Sequence, residues 1–155
     1  MADFELRPAR FAEFDAIAAL LRSAGLPTED LDATMLGGFV VVTNGEACVG
    51  VVGMEIYGSD ALVRSLAIER RHRFLGLGAR LLSAIETEAR VRGATALYLL
   101  TTTAITFFER MGYRPHDRAA VPLSVAATTE FSSLCPDTAH CLWRDLKDPT
   151  DHGGL

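Results

Sequence analysis

Apolar and polar residues alternate along this chain with two periods, and the two periods separate predicted strands from predicted helices. Apolar residues at every second position, or in short unbroken runs, are typical of strands, whereas spacings of three and four are typical of amphipathic helices. The strand pattern covers residues 4–8, 39–43, 47–57, 62–68, 96–100, 113–118 and 140–146. The helix pattern covers residues 10–25, 28–38, 76–92, 104–111 and 125–134.

Short turns join three of the predicted strands into an antiparallel meander. Asn44-Gly45 is a strong signal for a two-residue hairpin turn, and Gly58-Ser59-Asp60 reverses the chain again. If Ser59 and Asp60 form a two-residue turn, the side chains of Glu55 and Arg64 lie on the same face of the sheet and that of Ser65 lies on the other face. Predicted elements then continue in the order β-α-β-α-β. The sequence therefore predicts an α/β fold with a mixed sheet (an α+β arrangement), and the last strand is expected at an exposed edge.

Length and composition fit a folded protein of one domain. The chain has 155 residues, of which 49% are hydrophobic, so there is enough apolar surface to offset the entropy of folding. We expect the domain to span residues 1–147 and the polar, Gly- and Pro-containing residues 148–155 to form a flexible tail. No apolar run approaches the roughly 20 residues of a membrane span, and the acidic N-terminus is unlike a signal peptide. These features predict a cytoplasmic protein with no membrane partner.

The net charge and the spacing of the cysteines argue against two classes of function, nucleic-acid binding and metal binding. A net charge of −5 argues against nucleic-acid binding, although Arg70-Arg71-His72-Arg73 is a local basic cluster. The three cysteines and four histidines show no metal-ligand spacing, so no metal is expected. The cysteines are interpreted as reduced, small apolar residues. The alternative for Cys135 and Cys141, which stand six apart, is contact with a soft metal or with arsenic.

The segment from Leu66 to Gly78 carries the strongest chemical signal. A strand ending Leu66-Ala67-Ile68 enters a basic turn, and Gly76 and Gly78 open a long amphipathic helix. Helix N-termini have unpaired amides and partial positive charge, so this arrangement suits a phosphate or pyrophosphate. The glycine patterns of dinucleotide and nucleoside triphosphate sites are both absent. Taken alone, the segment is equally consistent with a helix start beside solvated arginines.

Arg73-x-x-Gly76-x-Gly78 after that strand resembles the acyl-CoA loop of the Gcn5-related N-acetyltransferase (GNAT) superfamily. Ala104-x-x-Phe107-Phe108-Glu109-Arg110-Met111-Gly112-Tyr113 is similar to the second signature of that family, and the order of elements matches over residues 4–146. The resemblance implies the acyl-CoA N-acyltransferase fold, acetyl-CoA as cosubstrate, and direct transfer of the acetyl group to an amine.

The resemblance also implies which residues hold the cosubstrate. Backbone groups of Leu66, Ala67 and Ile68 would pair with the pantetheine arm, the Leu66 amide would polarise the thioester carbonyl, and Phe108 would lie at the cofactor. The pyrophosphate would be held by Arg73, Phe74, Leu75, Gly76, Leu77, Gly78 and Ala79. Two positions depart from the family pattern. Phe74 replaces the usual glycine, and Phe108 replaces the tyrosine that commonly protonates the CoA thiolate.

A narrower resemblance concerns the acceptor. Val52-Gly53-Met54-Glu55-Ile56-Tyr57-Gly58, Leu99-Leu100-Thr101-Thr102-Thr103-Ala104 and the region around Thr128 to Pro136 are similar to acetyltransferases of bacterial arsenic-resistance operons. This similarity implies a small-molecule acceptor such as an organoarsenical or another acidic amino acid.

Charged and hydroxyl residues beside apolar strands are the candidates for the acceptor side. Glu55 is predicted to accept a proton from the ammonium, and Arg64 to bind a carboxylate or arsonate-type oxyanion. The alternative for Glu55 and Arg64 is a mutual ion pair without function. Thr102 and Thr103 are predicted to contact the thiolate and Thr101 the substrate, in one cleft with Glu55 and Arg64. Helix capping is an equally good role for these three hydroxyls.

Two other functions remain open from the sequence. One is a non-catalytic acyl-CoA-binding sensor, which the absence of the usual tyrosine favours. The other is acetylation of a protein N-terminus or lysine. His116 and Arg118 are candidates for the rim of the pocket, and an exposed last strand would support a homodimer.

Overall fold

The computed structural model describes residues 3–147, and its seven strands form one open, mixed sheet. The strands are β1 (Phe4–Pro8), β2 (Phe39–Asn44), β3 (Ala47–Tyr57), β4 (Asp60–Ile68), β5 (Ala96–Thr101), β6 (Arg114–Pro115) and β7 (His140–Asp145). Their order is β1-β2-β3-β4-β5-β7-β6, with β4 and β5 parallel and β1-β2, β2-β3, β5-β7 and β7-β6 antiparallel. The predicted fold class is confirmed.

Within residues 3–147, four α-helices and several shorter helical turns connect the strands. The α-helices are α1 (Phe14–Ser23), α2 (Leu77–Val91), α3 (Ile105–Arg110) and α4 (Leu123–Ala126). The 3-10 helices are Phe11–Glu13, Ala33–Gly38, Arg70–His72 and Arg118–Ala120, and a π-helix covers Glu130–Leu134. No helix within residues 3–147 is both long and apolar enough to cross a membrane.

The described chain divides into two compact units. The first comprises residues up to 55 together with 64–88, and the second comprises 56–63 and the residues from 89 onward. The first unit has a core to which α1, the 3-10 helix Ala33–Gly38, β2, β3 and β4 contribute: Ile17, Leu20, Leu21, Leu36, Phe39, Val41, Val51 and Ala67. The predicted apolar stripe of α2 is confirmed, since Leu77, Leu81, Leu82 and Ile85 are buried. The core of the second unit contains Leu62, Tyr98, Val121, Val125, Phe131 and Cys141.

Both hairpin turns lie one residue from their predicted positions. Asn44 pairs with Ala47, so the turn is Gly45-Glu46, and the next turn is Gly58-Ser59. The first turn residue is glycine in each case, at φ +64° and +67°, because a two-residue turn of type II′ needs positive φ there. Moving the β3-β4 turn by one residue shifts every cross-strand partner by two, so faces are preserved. Glu55 and Arg64 therefore still share a face.

The predictions for the second half of the sheet need correction. The strand predicted over 113–118 is reduced to β6, because Pro115 has no amide hydrogen to donate and Arg118 already belongs to a 3-10 helix. The last strand, β7, is not at an exposed edge, since it pairs with β5 on one side and β6 on the other. The feature on which the predicted homodimer rested is therefore absent from the described sheet. The predicted tail, 148–155, lies outside the described residues.

Two predicted helices also differ from the structure. The helix predicted from Thr28 begins later, as the 3-10 helix Ala33–Gly38, because the Asp32 carboxylate accepts the Thr34 amide at 2.8 Å and caps it there. The segment predicted as one helix over 125–134 is divided between α4 and the π-helix. The chain before Asp32 is thus left as an irregular segment.

Gly53 brings the centre of β3 close to the ring of Phe39, its partner on β2. A Cβ atom at this position would lie within 3.0 Å of the ring, which is 1% exposed and has little space to move. We expect Gly53→Ala to lower the free energy of unfolding by about 1–3 kcal/mol. Urea unfolding measures this, with Gly37→Ala as control because a Cβ there meets no atom within 4 Å. Equal effects of the two variants would contradict the prediction.

Candidate active site

The turn between β4 and α2 has the backbone of an anion-binding site. After the 3-10 helix Arg70–His72, the chain reaches Gly76 at φ +79°, and the Gly76 carbonyl accepts the Arg80 amide at 3.2 Å to begin α2. The amides of a first helical turn have no partners within the helix and carry partial positive charge. The predicted helix start is confirmed, and binding of a pyrophosphate there stays a prediction.

The space above this turn is open. A Cβ added at Gly76 would meet no atom within 4 Å. Three residues earlier in the turn, the Arg73 Nε donates to the Ile68 carbonyl at 3.2 Å. Phe74 has a left-handed backbone, φ +67°, and a fully exposed side chain. A conformation that costs a non-glycine residue about 1–2 kcal/mol keeps the ring in solvent and away from the helix start. The geometry fits a pyrophosphate despite the phenylalanine.

β4 departs from regular strand geometry at Ser65. The φ of Ser65 is +61°, and the Arg64 Nε donates to the Ser65 hydroxyl at 3.0 Å. Neighbouring side chains of a regular strand point to opposite faces, so the prediction that Ser65 points away from Arg64 is wrong. The left-handed residue is the physical reason, because it rotates the backbone within the strand. Leu66, Ala67 and Ile68 follow this irregularity.

Glu55, Arg64 and Asp30 form a cluster of three charged side chains. The Arg64 Nη1 donates to the Glu55 Oε2 at 2.7 Å, which confirms the predicted contact between β3 and β4. Asp30 was not predicted. It comes from the irregular segment before the 3-10 helix Ala33–Gly38 and accepts from Nη1 at 2.5 Å and from Nη2 at 2.7 Å. We call these three residues the acid cluster.

The Arg64 side chain is entirely buried, at 0% exposure, and the two carboxylates that contact it are partly exposed, at 10% and 17%. A buried guanidinium must be paired, because an uncompensated buried charge costs several kcal/mol (about 3–5). Arg64 was predicted to hold a substrate oxyanion, and the structure instead directs its donors to groups of its own chain. A substrate anion would have to displace Asp30 or Glu55 to reach it.

A sequence signal for Asp30 did exist. Arg64 stands in an apolar strand and must be neutralised, while three of the four residues 29–32 are acidic. The path of the segment that brings Asp30 to β4 could not be predicted from the sequence. That path depends on tertiary packing, since the two residues are 34 positions apart.

The threonine turn after β5 is held by a hydrogen bond across the turn. The Thr101 hydroxyl accepts the amide of Ala104 at 3.0 Å. Ala104 is itself the N-cap residue of α3, and no side chain caps that helix, so the capping role predicted for the threonines is not confirmed. Thr102 and Thr103 are exposed. Their predicted contact with thiolate, and the predicted cleft with Glu55 and Arg64, stay predictions.

Phe108 is 6% exposed and packs edge-on against two aromatic rings. Its ring centroid lies 5.2 Å from that of Phe107 and 5.6 Å from that of Tyr113. Such edge-to-face pairs stabilise a core. The structure therefore gives Phe108 a packing role, and its contact with a cofactor stays a prediction.

Comparison with known proteins identifies the family to which the chain belongs. A family profile described as an acetyltransferase (GNAT) domain matches residues 36–115, just over half of the chain. The chain belongs to the GNAT acetyltransferase family. Over 78 residues it is 35% identical to an amino-acid acetyltransferase of Pseudomonas fluorescens (strain Pf0-1), a match that covers 50% of this chain and 18% of that protein.

Solved structures share the GNAT fold. N-acetylglutamate synthase from Neisseria gonorrhoeae, complexed with coenzyme A and N-acetyl-glutamate, superposes with a TM-score of 0.81 at 21% identity. The match covers 94% of this chain and 36% of that one. Rv2747 from Mycobacterium tuberculosis, in complex with CoA and NLQ, gives 0.74 at 17% identity and covers 91% and 98% of the two chains. The GNAT domain thus spans only part of the amino-acid acetyltransferase and the synthase.

The two residues proposed for the pocket rim of this GNAT domain have structural contacts. The Arg118 guanidinium donates to the Phe131 carbonyl at 2.9 Å and the Pro136 carbonyl at 2.8 Å, and so secures the π-helix. The His116 ring packs edge-on against Tyr98 at 5.4 Å.

The three cysteines of the GNAT domain all lie within the described residues. Burial raises the pKa of Cys141 to about 11, so its thiol is protonated at neutral pH and is a poor ligand. Cys48, Cys135 and Cys141 form no disulfide within the described residues. Across residues 3–147 there is no group of three or more His, Cys, Asp or Glu side chains that could hold a metal ion.

Proposed function

We propose that this GNAT protein transfers the acetyl group of acetyl-CoA to the amine of a small molecule. The observation that carries the proposal is the pairing, within one compact unit, of an open helix start with an acid cluster. Arg64 and Ile68 are four residues apart on β4. One strand thus connects a site for the phosphates with a carboxylate for the amine.

The residues from Arg73 to Ala79 would hold the pyrophosphate through helix-start amides and the arginine side chain. Backbone groups of Leu66 and Ile68 would hold the pantetheine arm, and the Leu66 amide would polarise the thioester carbonyl. Acetyl-CoA supplies an activated acyl group with a thiolate leaving group. In support, the Neisseria synthase and Rv2747 structures both contain CoA.

Glu55 is the residue we assign to the amine. Its carboxylate would accept a proton from the ammonium, and the neutral amine would attack the thioester carbonyl. A C–N bond forms, the C–S bond breaks, and the second amine proton leaves as the thiolate becomes a thiol. Thr102 and Thr103 are the hydroxyls we propose for the thiolate, since Phe108 has none.

The acceptor we propose is a small amino acid. The similar proteins include one named amino-acid acetyltransferase and one complexed with N-acetyl-glutamate. An organoarsenical amino acid belongs to the same chemical class, although none of these relatives is described as acting on arsenic. Because Arg64 is buried and contacts two carboxylates, we assign recognition of the amine to Glu55 and assign Arg64 to holding that carboxylate in place.

The test is release of CoA thiol from acetyl-CoA in the presence of single amines. The panel contains neutral, acidic and basic amino acids, an organoarsenical amino acid, a simple alkylamine and a peptide with a free N-terminus. We expect amine-dependent release with at least one amino acid. Acetyl-CoA binding without release for any amine would indicate a sensor, and release only with the peptide would indicate a protein acetyltransferase.

A further inference from the structure

Phe74 is the most exposed of the large apolar residues in the described chain. Its relative exposure is 103%, so the ring lies in solvent. Leu75 follows it at 55%, and within residues 3–147 these are the only two exposed large apolar side chains that are adjacent in sequence. Removing such a ring from water is favourable, so a ligand that covers it gains affinity from the hydrophobic effect.

The backbone holds this ring in a conformation that phenylalanine does not favour. Phe74 has a φ of +67°, in the left-handed region where a Cβ atom crowds the following carbonyl and glycine has no such cost. The turn therefore keeps a bulky aromatic side chain, at a cost, where the fold does not bury its apolar surface. Unfavourable backbone conformations of this kind cluster at ligand sites.

The ring belongs to the turn that we assign to the pyrophosphate. Phe74 stands two residues before Gly76, so at most about 7 Å of chain separates it from the helix start. Both residues lie in the first compact unit. In CoA, one ribose separates the pyrophosphate from the adenine base. A base held so near the phosphates has the chemistry to cover an exposed ring, since bases and aromatic side chains stack through their faces.

Exposed arginines precede the ring and match the rest of the nucleotide. Arg70, Arg71 and Arg73 are all exposed. The Arg71 side chain is 84% exposed, and its Nε donates to the Glu69 Oε1 at 3.1 Å. The ribose of CoA carries a 3′-phosphate, and guanidinium groups pair with phosphate oxygens. The charges beside the ring thus favour an anionic nucleotide over a neutral apolar partner.

We propose that the Phe74 ring stacks on the adenine of CoA and makes binding depend on the nucleotide end of the cosubstrate. This inference rests on the proposed function, which assigns acetyl-CoA as the cosubstrate. Phe74 is then a specificity-determining residue. It distinguishes CoA thioesters from shorter pantetheine thioesters that carry the same acyl group, and it takes no part in the chemical step.

The experiment measures binding without turnover. Isothermal titration with CoA, and separately with 4′-phosphopantetheine, compares wild-type protein with Phe74→Ala, Phe74→Gly and Phe74→Tyr. Proton NMR of bound CoA follows the two C–H protons of adenine, whose resonances move upfield when they lie over an aromatic ring. Phe11→Ala is the matched control, because Phe11 is a second exposed phenylalanine of the same unit, at 71%.

For Phe74→Ala we expect the dissociation constant of CoA to rise about tenfold, as is typical when a base loses an aromatic partner. The upfield shift should disappear, and binding of 4′-phosphopantetheine should stay unchanged. Phe74→Tyr keeps a ring and should keep the affinity and the shift, as should Phe11→Ala. Phe74→Gly should bind CoA as weakly as Phe74→Ala and be more stable, because it removes the unfavourable backbone conformation.

The outcomes separate this inference from the function on which it rests. If wild-type protein binds CoA and Phe74→Ala binds it equally well, the inference is overturned and the proposed function stands. If the affinity and the upfield shift depend on the ring but no amine is acetylated, the inference stands and the proposed transfer fails. If wild-type protein does not bind CoA, both fail. If Phe74→Ala does not fold, Phe74→Gly decides by the same comparison.

Discussion

Replacing Glu55 by glutamine is expected to lower kcat/KM for the amine acceptor by about 10²–10⁴-fold. Glutamine has nearly the same shape but cannot accept a proton from an ammonium ion. Arg64 remains paired with Asp30 in this variant through the two bonds at 2.5 and 2.7 Å, so the buried guanidinium keeps a counter-charge. The measurement is thiol release as a function of acceptor concentration.

The control for this substitution is Glu46→Gln, which makes the same change in the exposed turn between β2 and β3. Both variants should bind acetyl-CoA with wild-type affinity, because neither residue lies in the turn before α2. A Glu55→Gln variant that keeps its rate within threefold would remove Glu55 from the mechanism and leave it as a partner of Arg64.

The second large effect is expected at the helix start. Gly76→Asp should weaken CoA binding by about 100-fold, because it places a carboxylate in the open space that we assign to the pyrophosphate. Isothermal titration with CoA measures the change directly. An added Cβ at this position meets no atom of the protein within 4 Å, so we expect the loss to come from the ligand and not from a clash.

Backbone strain needs its own control, because Gly76 has a φ of +79° that other residues adopt at a cost. Gly45 provides the match, with a φ of +64° and likewise no atom within 4 Å of an added Cβ. Gly45→Asp should lower stability by a similar amount and leave CoA affinity unchanged. Equal CoA affinities for the two variants would contradict the assignment of the pyrophosphate site.

The local parts of this fold could be predicted because each depended on a short stretch of sequence. The apolar stripe of α2 was visible as a helical periodicity, and the buried strand β5 was visible as an unbroken apolar run. The assignment of side chains to the two faces of the sheet was also insensitive to the exact turn. Displacing a hairpin turn by one residue shifts each cross-strand partner by two positions, so every side chain stays on the same face. For that reason the contact of Glu55 with Arg64 was predicted correctly from a turn that was placed one residue too late.

The rest depended on interactions between distant segments. No local sequence signal predicts the position of β7 between β5 and β6, because the residues of a strand do not indicate which other strands it pairs with. The left-handed backbone of Ser65 was invisible too, since serine gives no sign of positive φ. Asp30 reaches Arg64 only through tertiary packing of an irregular segment. The third member of the acid cluster therefore required the structure.

The position of β7 between two strands that precede it in the chain has a consequence for synthesis on the ribosome. Residues 96–101 and 114–115 emerge before residues 140–145, and β6 pairs only with β7 among the described strands. Until β7 has left the ribosome, one side of β5 exposes unpaired amides and carbonyls. The strands of the second unit can therefore pair completely only after β7 has been synthesised. A nascent chain paused between residues 115 and 140 would expose an unpaired edge of β5, which could pair with other chains and aggregate.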